Sequence, residues 1–417
     1  MPSLRHRLDA MAGGLPRAYW FIWAGTFVMR CGSFVLPFLA IVLTQVHHLP
    51  AAHAGLVVAL YGVGATIAGP LGGMLADRVG RRFTMLLALF GGGTGMIALG
   101  FATSVAVIAP AIFVVALVSE MYRPGMQAAV ADLVPPKDRV RAFSLTYWVI
   151  NLGWSIGLAL GGILYGHSYH WLFIGDGLTT LLFGVIIAIG VPETRPARAH
   201  TVAADGSLTH APHESAWLGF VAPFRDGVFV LFTLLAFCFA VVFLQHASTL
   251  ALDMSAHGIK PALYGLIIGL NGVLIVVLQP LMGPFLARLN RSHSLAVGVL
   301  LAGIGFGMYA FVRTPELYTV GVVLWTIGEI CVLPVANAVV ADIAPADRRG
   351  RYQGTYGLAW GLASAVAPAV GMGTLSRFGP VVLWAGLFVL CVIVSVGHLT
   401  LAPRLQKLRL ARIAAGS

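Results

Sequence analysis

Four ionisable residues lie where the sequence offers them no water: Arg30, Glu120, Arg123 and Glu329 all fall inside long apolar runs. At about 1.5 Å of helical rise per residue, Arg30 is about 16 Å, Glu120 about 20 Å and Glu329 about 18 Å into its run. Charges that deep in a hydrocarbon layer about 30 Å thick are costly unless they are paired or face a wet cavity. A carboxylate balanced between burial and nearby arginines can exchange protons as its surroundings change. Glu120, with Arg30 and Arg123 as neighbours, is expected to carry the proton. Glu329 has no basic neighbour in its own run and is expected to meet a cationic solute. A proton and a solute that compete for one charge are antiported by linkage. Glu120 and Arg123 lie about one turn apart, so a purely structural ion pair is the alternative reading of that pair. Asp176 and His246, also in apolar runs, read as structural residues.

The rest of the chain must position these charges. Its 417 residues are 59% hydrophobic and only 10% charged, too apolar for the surface of a water-soluble domain. Apolar windows predict twelve spans near 19–45, 53–76, 83–102, 105–132, 142–166, 170–191, 226–251, 262–286, 294–312, 317–341, 352–375 and 380–401. No cleavable signal opens the chain, so its amino-terminal end is expected to be mature and cytoplasmic. Of the 26 lysines and arginines, Lys260, Arg313 and Arg377 then fall outside and Arg30 and Arg123 within spans; the rest are cytoplasmic. That asymmetry explains the net charge of +11 as a topology signal, with no nucleic-acid partner required. Both termini are expected inside, in a bacterial cytoplasmic membrane. Cys31, Cys238, Cys331 and Cys391 lack metal or redox spacing and read as small buried hydrophobes.

A polar stretch at mid-chain, residues 193–218, is expected to link an amino-terminal six-helix bundle, 1–192, to a carboxy-terminal one, 219–417, with a short basic tail. A constant offset of 210 residues supports duplication. It lays Gly55 on Gly265, Gly62 on Gly272, Pro70 on Pro280, Gly73 on Gly283 and Arg81 on Arg291. It also lays Pro124 on Pro334, Asp132 on Asp342 and Arg139 on Arg349. Chance coincidence of Gly and Pro in apolar sequence does not explain the matched Asp and Arg positions. Six spans per copy give both copies the same orientation, related by an axis along the membrane normal.

Between the second and third spans runs Gly73-Met-Leu-Ala-Asp77-Arg78-Val-Gly80-Arg81-Arg82. This resembles the signature loop of the major facilitator superfamily, and with the span count and half-repeat the resemblance covers the whole chain. It implies an all-α membrane protein of twelve transmembrane helices in two pseudo-symmetric six-helix bundles. It also implies a conformational latch of Gly73, Asp77, Arg78, Gly80, Arg81, Arg82 and Asp132. Asp77 would face the start of the eleventh span, and Arg82 is expected to pair with Asp132. In the second copy Ala287 replaces the aspartate, so the mirror latch is expected to be weak. Gly153-x-x-x-Gly157-Leu158-x-x-Gly161-Gly162 is similar to an element of the superfamily's antiporter branch, with Leu158 where that element has proline. A helix-packing seam is the alternative there. Arg123, followed by Pro124 and Gly125, resembles the basic residue of another motif of that branch.

The resemblance further implies that spans one, four, seven and ten line a central cavity, and three of these carry Arg30, Glu120 and Glu329. Tyr147, Asn151, Trp154, Gln245, Asn271, Gln279, Trp325, Asn337 and Trp360 are expected to add an aromatic and amide lining suited to a lipophilic solute, cationic or neutral. Gly91-Gly92-Gly93 lacks a phosphate-loop ending, so transport is expected to draw on an ion gradient or to run downhill. The expected function is a proton-coupled exporter of drug-like small molecules, monomeric, without cofactor or metal and not an enzyme. A proton-coupled uptake symporter for a small organic solute is the alternative.

Overall fold

A computed structural model describes residues 14–135, 138–195, 222–286, 289–344 and 349–414. Among them the chain is helical, and eleven helical stretches are long and apolar enough to cross a membrane. The last, Tyr352–Leu408, is 57 residues long and is broken at Gly379, whose φ of 82° disfavours any residue with a side chain. It supplies the eleventh and twelfth spans. The expected linker from 196 onward and Ala287 lie outside the described residues.

Span one is α1 (Arg17–Cys31) and α2 (Val35–Ile41), followed by a π-helical turn at Val42–Val46. Spans two and three are α3 (Ala51–Arg78) and α4 (Arg81–Leu99); span four is α5 (Val105–Glu120) and α6 (Tyr122–Leu133). Spans five and six are α7 (Arg139–His167) and α8 (His170–Gly190). In the second copy come α9 (Gly227–Phe243), α10 (Thr249–Ala256), α11 (Pro261–Leu286), α12 (Arg291–Gly307), α13 (Pro315–Ile343) and α14 (Arg349–Ala414).

Spans one and four break for a reason visible in the sequence. Pro124 has no N–H to give the Glu120 carbonyl four residues back, and Pro37 has none for Ser33. The ladder tightens instead, with the Met121 N–H turned to Val118 and the Phe34 N–H to Gly32. Two helix starts in the second copy are closed by their own caps: Asp226 accepts from Val228 and Phe229, and Asn290 from Ser292 and His293.

By packing, the described residues form two units, one ending at Arg195 and including His246–Val276, the other comprising the rest of the described residues. In the first, spans one, three, four and six meet around Tyr19, Met29, Leu89, Tyr122, Met126 and Phe183. Spans one and five approach closely through glycine: a β-carbon at Gly153 would lie 2.6 Å from the Arg30 β-carbon, and one at Gly157 2.8 Å from the Arg30 carbonyl. Gly265, Gly269 and Gly272 of α11 lie in the same way on Leu158, Ser155 and Asn151 of α7, which is why this segment belongs to the first unit. The core of the second unit is aromatic. Trp325 stacks on Phe306 at 5.5 Å, and Phe306 on Trp384 at 6.3 Å. Large apolar side chains such as Leu56, Ile189 and Leu281 point outward, as a lipid-facing surface requires. Of the cysteines, all free, Cys331 and Cys391 are buried and Cys31 and Cys238 half-buried.

Candidate ion and substrate site

The break in span four puts Glu120 at the last position of α5 and Arg123 near the start of α6, and the two form an ion pair. The Tyr61 hydroxyl of span two donates to the same carboxylate at 2.9 Å. The Glu120 side chain is 14% exposed and Arg123 49%, so the acid is sheltered and its partner opens outward. Arg30 does not complete a pincer on Glu120, as the sequence suggested. It donates instead to the Tyr122 hydroxyl at 2.9 Å, because the break turns Tyr122 inward, and its Nε is buried without a hydrogen-bond partner. Arg30 and Glu120 stay within electrostatic reach of each other. Three broken or closely packed spans thus hold two cations, one anion and two phenols together.

Tyr61 and Tyr122 escape a reading that looks for charges. One signal could have found Tyr61: at the offset of 210 its repeat partner is Asn271, a residue singled out as polar. Also in the first unit, the Asn151 amide donates to the Tyr147 carbonyl at 2.9 Å, Tyr147 is exposed, Trp154 half-buried and Asn271 buried. The second unit holds Glu329, which is buried in α13, together with Gln245, Gln279, Trp325, Asn337 and Trp360. Two more of these, besides Glu329, are buried. Trp325 is fully buried, its indole N–H donating to the Tyr309 hydroxyl at 3.1 Å. Gln245 is fully buried and donates to the carbonyls of Val241 and Ala367, at 3.1 and 3.0 Å, tying span seven to span eleven. Asn337 is exposed and donates to Leu333, and Trp360 packs edge-on against Phe239 and Phe243.

At the loop between spans two and three, Asp132 is met by Arg81 at 3.1 Å and not by Arg82. Arg82 reaches the Ala188 carbonyl at 2.5 Å instead. Arg81 also meets Asp77, which is largely exposed, at 3.3 Å. The Arg78 carbonyl accepts from Arg195 at 2.6 Å, and Gly73 borders open space. Gly80, at φ 136°, cannot cap α4 itself, and Glu193 from the end of span six does so in its place. Its carboxylate accepts from the N–H groups of Arg81 and Arg195, both at 2.9 Å, Thr194 at 3.0 Å and Arg82 at 3.2 Å. Partial burial raises its pKa, but the four donors together outweigh that and hold the carboxyl below the ordinary glutamate range. The repeat is visible here in side chains. Arg291 pairs with Asp342 in the second unit as Arg81 pairs with Asp132 in the first.

A family model, the Major Facilitator Superfamily, matches residues 22–254 and 247–411. The chain belongs to the Major Facilitator Superfamily. This major facilitator protein is 27% identical over 369 residues to the MFS-type transporter YqjV of Bacillus subtilis strain 168, covering 86% of this chain and 87% of that one. It is 21% identical to a Na(+), Li(+), K(+)/H(+) antiporter of Planococcus maritimus, over 82% and 86% of the two chains. In fold it resembles a crystal structure of a variant of the peptide transporter POT in complex with alafosfalin. The TM-score is 0.76 and the identity 18%, with 98% of this chain and 99% of that one covered. It is therefore a multi-pass membrane transporter with the twelve-helix major facilitator architecture.

Proposed function

We propose that this protein is a proton-coupled exporter of lipophilic, drug-like small molecules, cationic or neutral, working by alternating access in a bacterial cytoplasmic membrane. The observation that carries the reading is the Glu120–Arg123–Tyr61 cluster at the break in span four, with the Arg30–Tyr122 contact beside it. A sheltered carboxylate whose arginine partner opens outward can trade that partner for a proton when its surroundings shift. Coupling to protons also agrees with the relative from Planococcus maritimus, an antiporter of monovalent metal ions and protons. Exposed Tyr147 and half-buried Trp154 in span five supply aromatic faces for an apolar solute, and buried Glu329 a charge for a cationic one. Gly153 and Gly157 support this as a packing seam that sets Arg30, not as a contact for cargo.

The test is proton release from purified protein on addition of ethidium or tetraphenylphosphonium. Native protein is expected to release protons, Glu120→Gln to fall to background, and Glu329→Gln to lose the response to these cations. Proton uptake with the compound would indicate symport. Unchanged release in both variants would remove the two carboxylates from the coupling role.

A further inference from the structure

Asp176 is a buried carboxylate that the cluster around Glu120 does not use. It lies in span six, and its Oδ2 accepts the N–H of Val35 at 3.2 Å. Val35 opens α2, which continues through the π-helical turn to Val46, and the residue before it supplies no side-chain cap. The backbone at this point is already short of partners. Gly32 and Ser33 turn their N–H groups back to Met29 and Arg30, and Pro37 leaves the Ser33 carbonyl without its helical donor. Gly32 lies so close to Thr179 that any side chain there would strike it, which holds the break against span six. Asp176 therefore closes, from a neighbouring helix, a break that span one cannot close itself. Arg30 stands two residues before Gly32 and donates to Tyr122 at the break in span four. One buried acid thus sits at the break in span one and the half-buried Glu120 at the break in span four, with Arg30 between the two breaks.

We propose that Asp176 is a second proton-binding carboxylate of this transporter, acting on span one and not on cargo: ionised it pins the start of α2, protonated it releases it. A hydrogen bond to an ionised acceptor is roughly twice as strong as one to a neutral acceptor, so the pin holds at higher pH and weakens as pH falls. The titratable groups that face Asp176 are Arg30 on span one, Tyr61 on span two and Glu120 on span four. Among the atoms nearest Gly177 and Gly175, span three brings Gly93 and Ile97 and span five brings Leu164, none of them titratable. Arg30 attracts the ionised form and Glu120 repels it, so a proton on Glu120 tightens the pin and a proton on Asp176 loosens it. This goes beyond the coupling role given to Glu120 and does not depend on which carboxylate meets cargo.

Hydrogen exchange of the full-length protein in detergent, read by mass spectrometry at about pH 5.5 and about pH 8 and corrected for intrinsic rates, tests it. In native protein, amides of residues 34–41 are expected to exchange at least about threefold faster at the lower pH. Asp176→Asn, whose amide oxygen still accepts, is expected to exchange equally at both, and Asp176→Ala to be fast at both. The start of α12, capped by the non-titrating Asn290, is expected to stay unchanged in every variant, which reports an intact fold. Flat exchange in native protein, or native pH dependence retained by Asp176→Asn, overturns the proposal. In Glu120→Gln with Asp176 intact, read across a pH series, release of the pin is expected at lower pH than in native protein, and release at higher pH overturns the proposal. A silent proton-release assay with pH-dependent exchange intact would sink the coupling reading and leave this one standing.

Discussion

Tyr61 carries a role out of proportion to its chemistry. Its hydroxyl is the neutral partner of Glu120 beside the charged Arg123, so removing it leaves the acid with one direct support. Tyr61→Phe is expected to lower stability by about 1 kcal/mol, as single polar contacts between membrane helices do. A thermal-unfolding midpoint in detergent measures it, and no change would mean that the bond does not form in solution. Glu193 gives a pH prediction. Its carboxyl is held below the ordinary value of 4.5, so its stabilising effect is complete above that value and is lost as pH falls below it. Native protein is expected to lose stability in this acid range more steeply than Glu193→Gln; parallel profiles would contradict the cap. Sequence showed the acids and arginines but not their pairing. Arg81 and Arg82 are adjacent on a helix and point about 100° apart, and only the packed geometry selects which one meets Asp132.

Helices are where the sequence was most legible. Apolar length gave most spans to within a few residues, for example Pro315–Ile343 for the expected 317–341, but the last helix runs on to Ala414, past the expected end at 401. The breaks at Pro37 and Pro124 follow from a missing donor, yet Pro334, the repeat partner of Pro124, sits inside an unbroken α13. A proline removes a hydrogen bond; neighbouring packing decides whether the helix opens. The glycine seam makes the same point testable. Gly157→Ala is expected to cost about 1–3 kcal/mol, because the new methyl meets span-one backbone that cannot yield. Gly166→Ala, beside open space on the same helix, is expected to be neutral. Equal unfolding midpoints for the two variants would refute the close approach.

Duplication and orientation belong to the whole molecule. The ion pairs Arg81–Asp132 and Arg291–Asp342 show both copies building one local structure from one pattern. The charge asymmetry then predicts sidedness. In intact cells a membrane-impermeant maleimide is expected to label Lys260→Cys but not Asp77→Cys, and both after permeabilisation. The native cysteines, buried or half-buried, contribute little background. Labelling of Asp77→Cys from outside would reverse the orientation.

The sequence by itself determined class, span number, duplication and superfamily, because apolar length, charge asymmetry and a constant offset are properties of the chain before it folds. Tertiary structure decided that Tyr61 serves Glu120, that Arg30 turns to Tyr122, that Asp176 closes a break in another helix, and that Trp325 is core and not lining. Each of those is a contact between helices distant in sequence. Its partner is fixed by helix rotation and approach distance, which hydropathy leaves open and close packing settles.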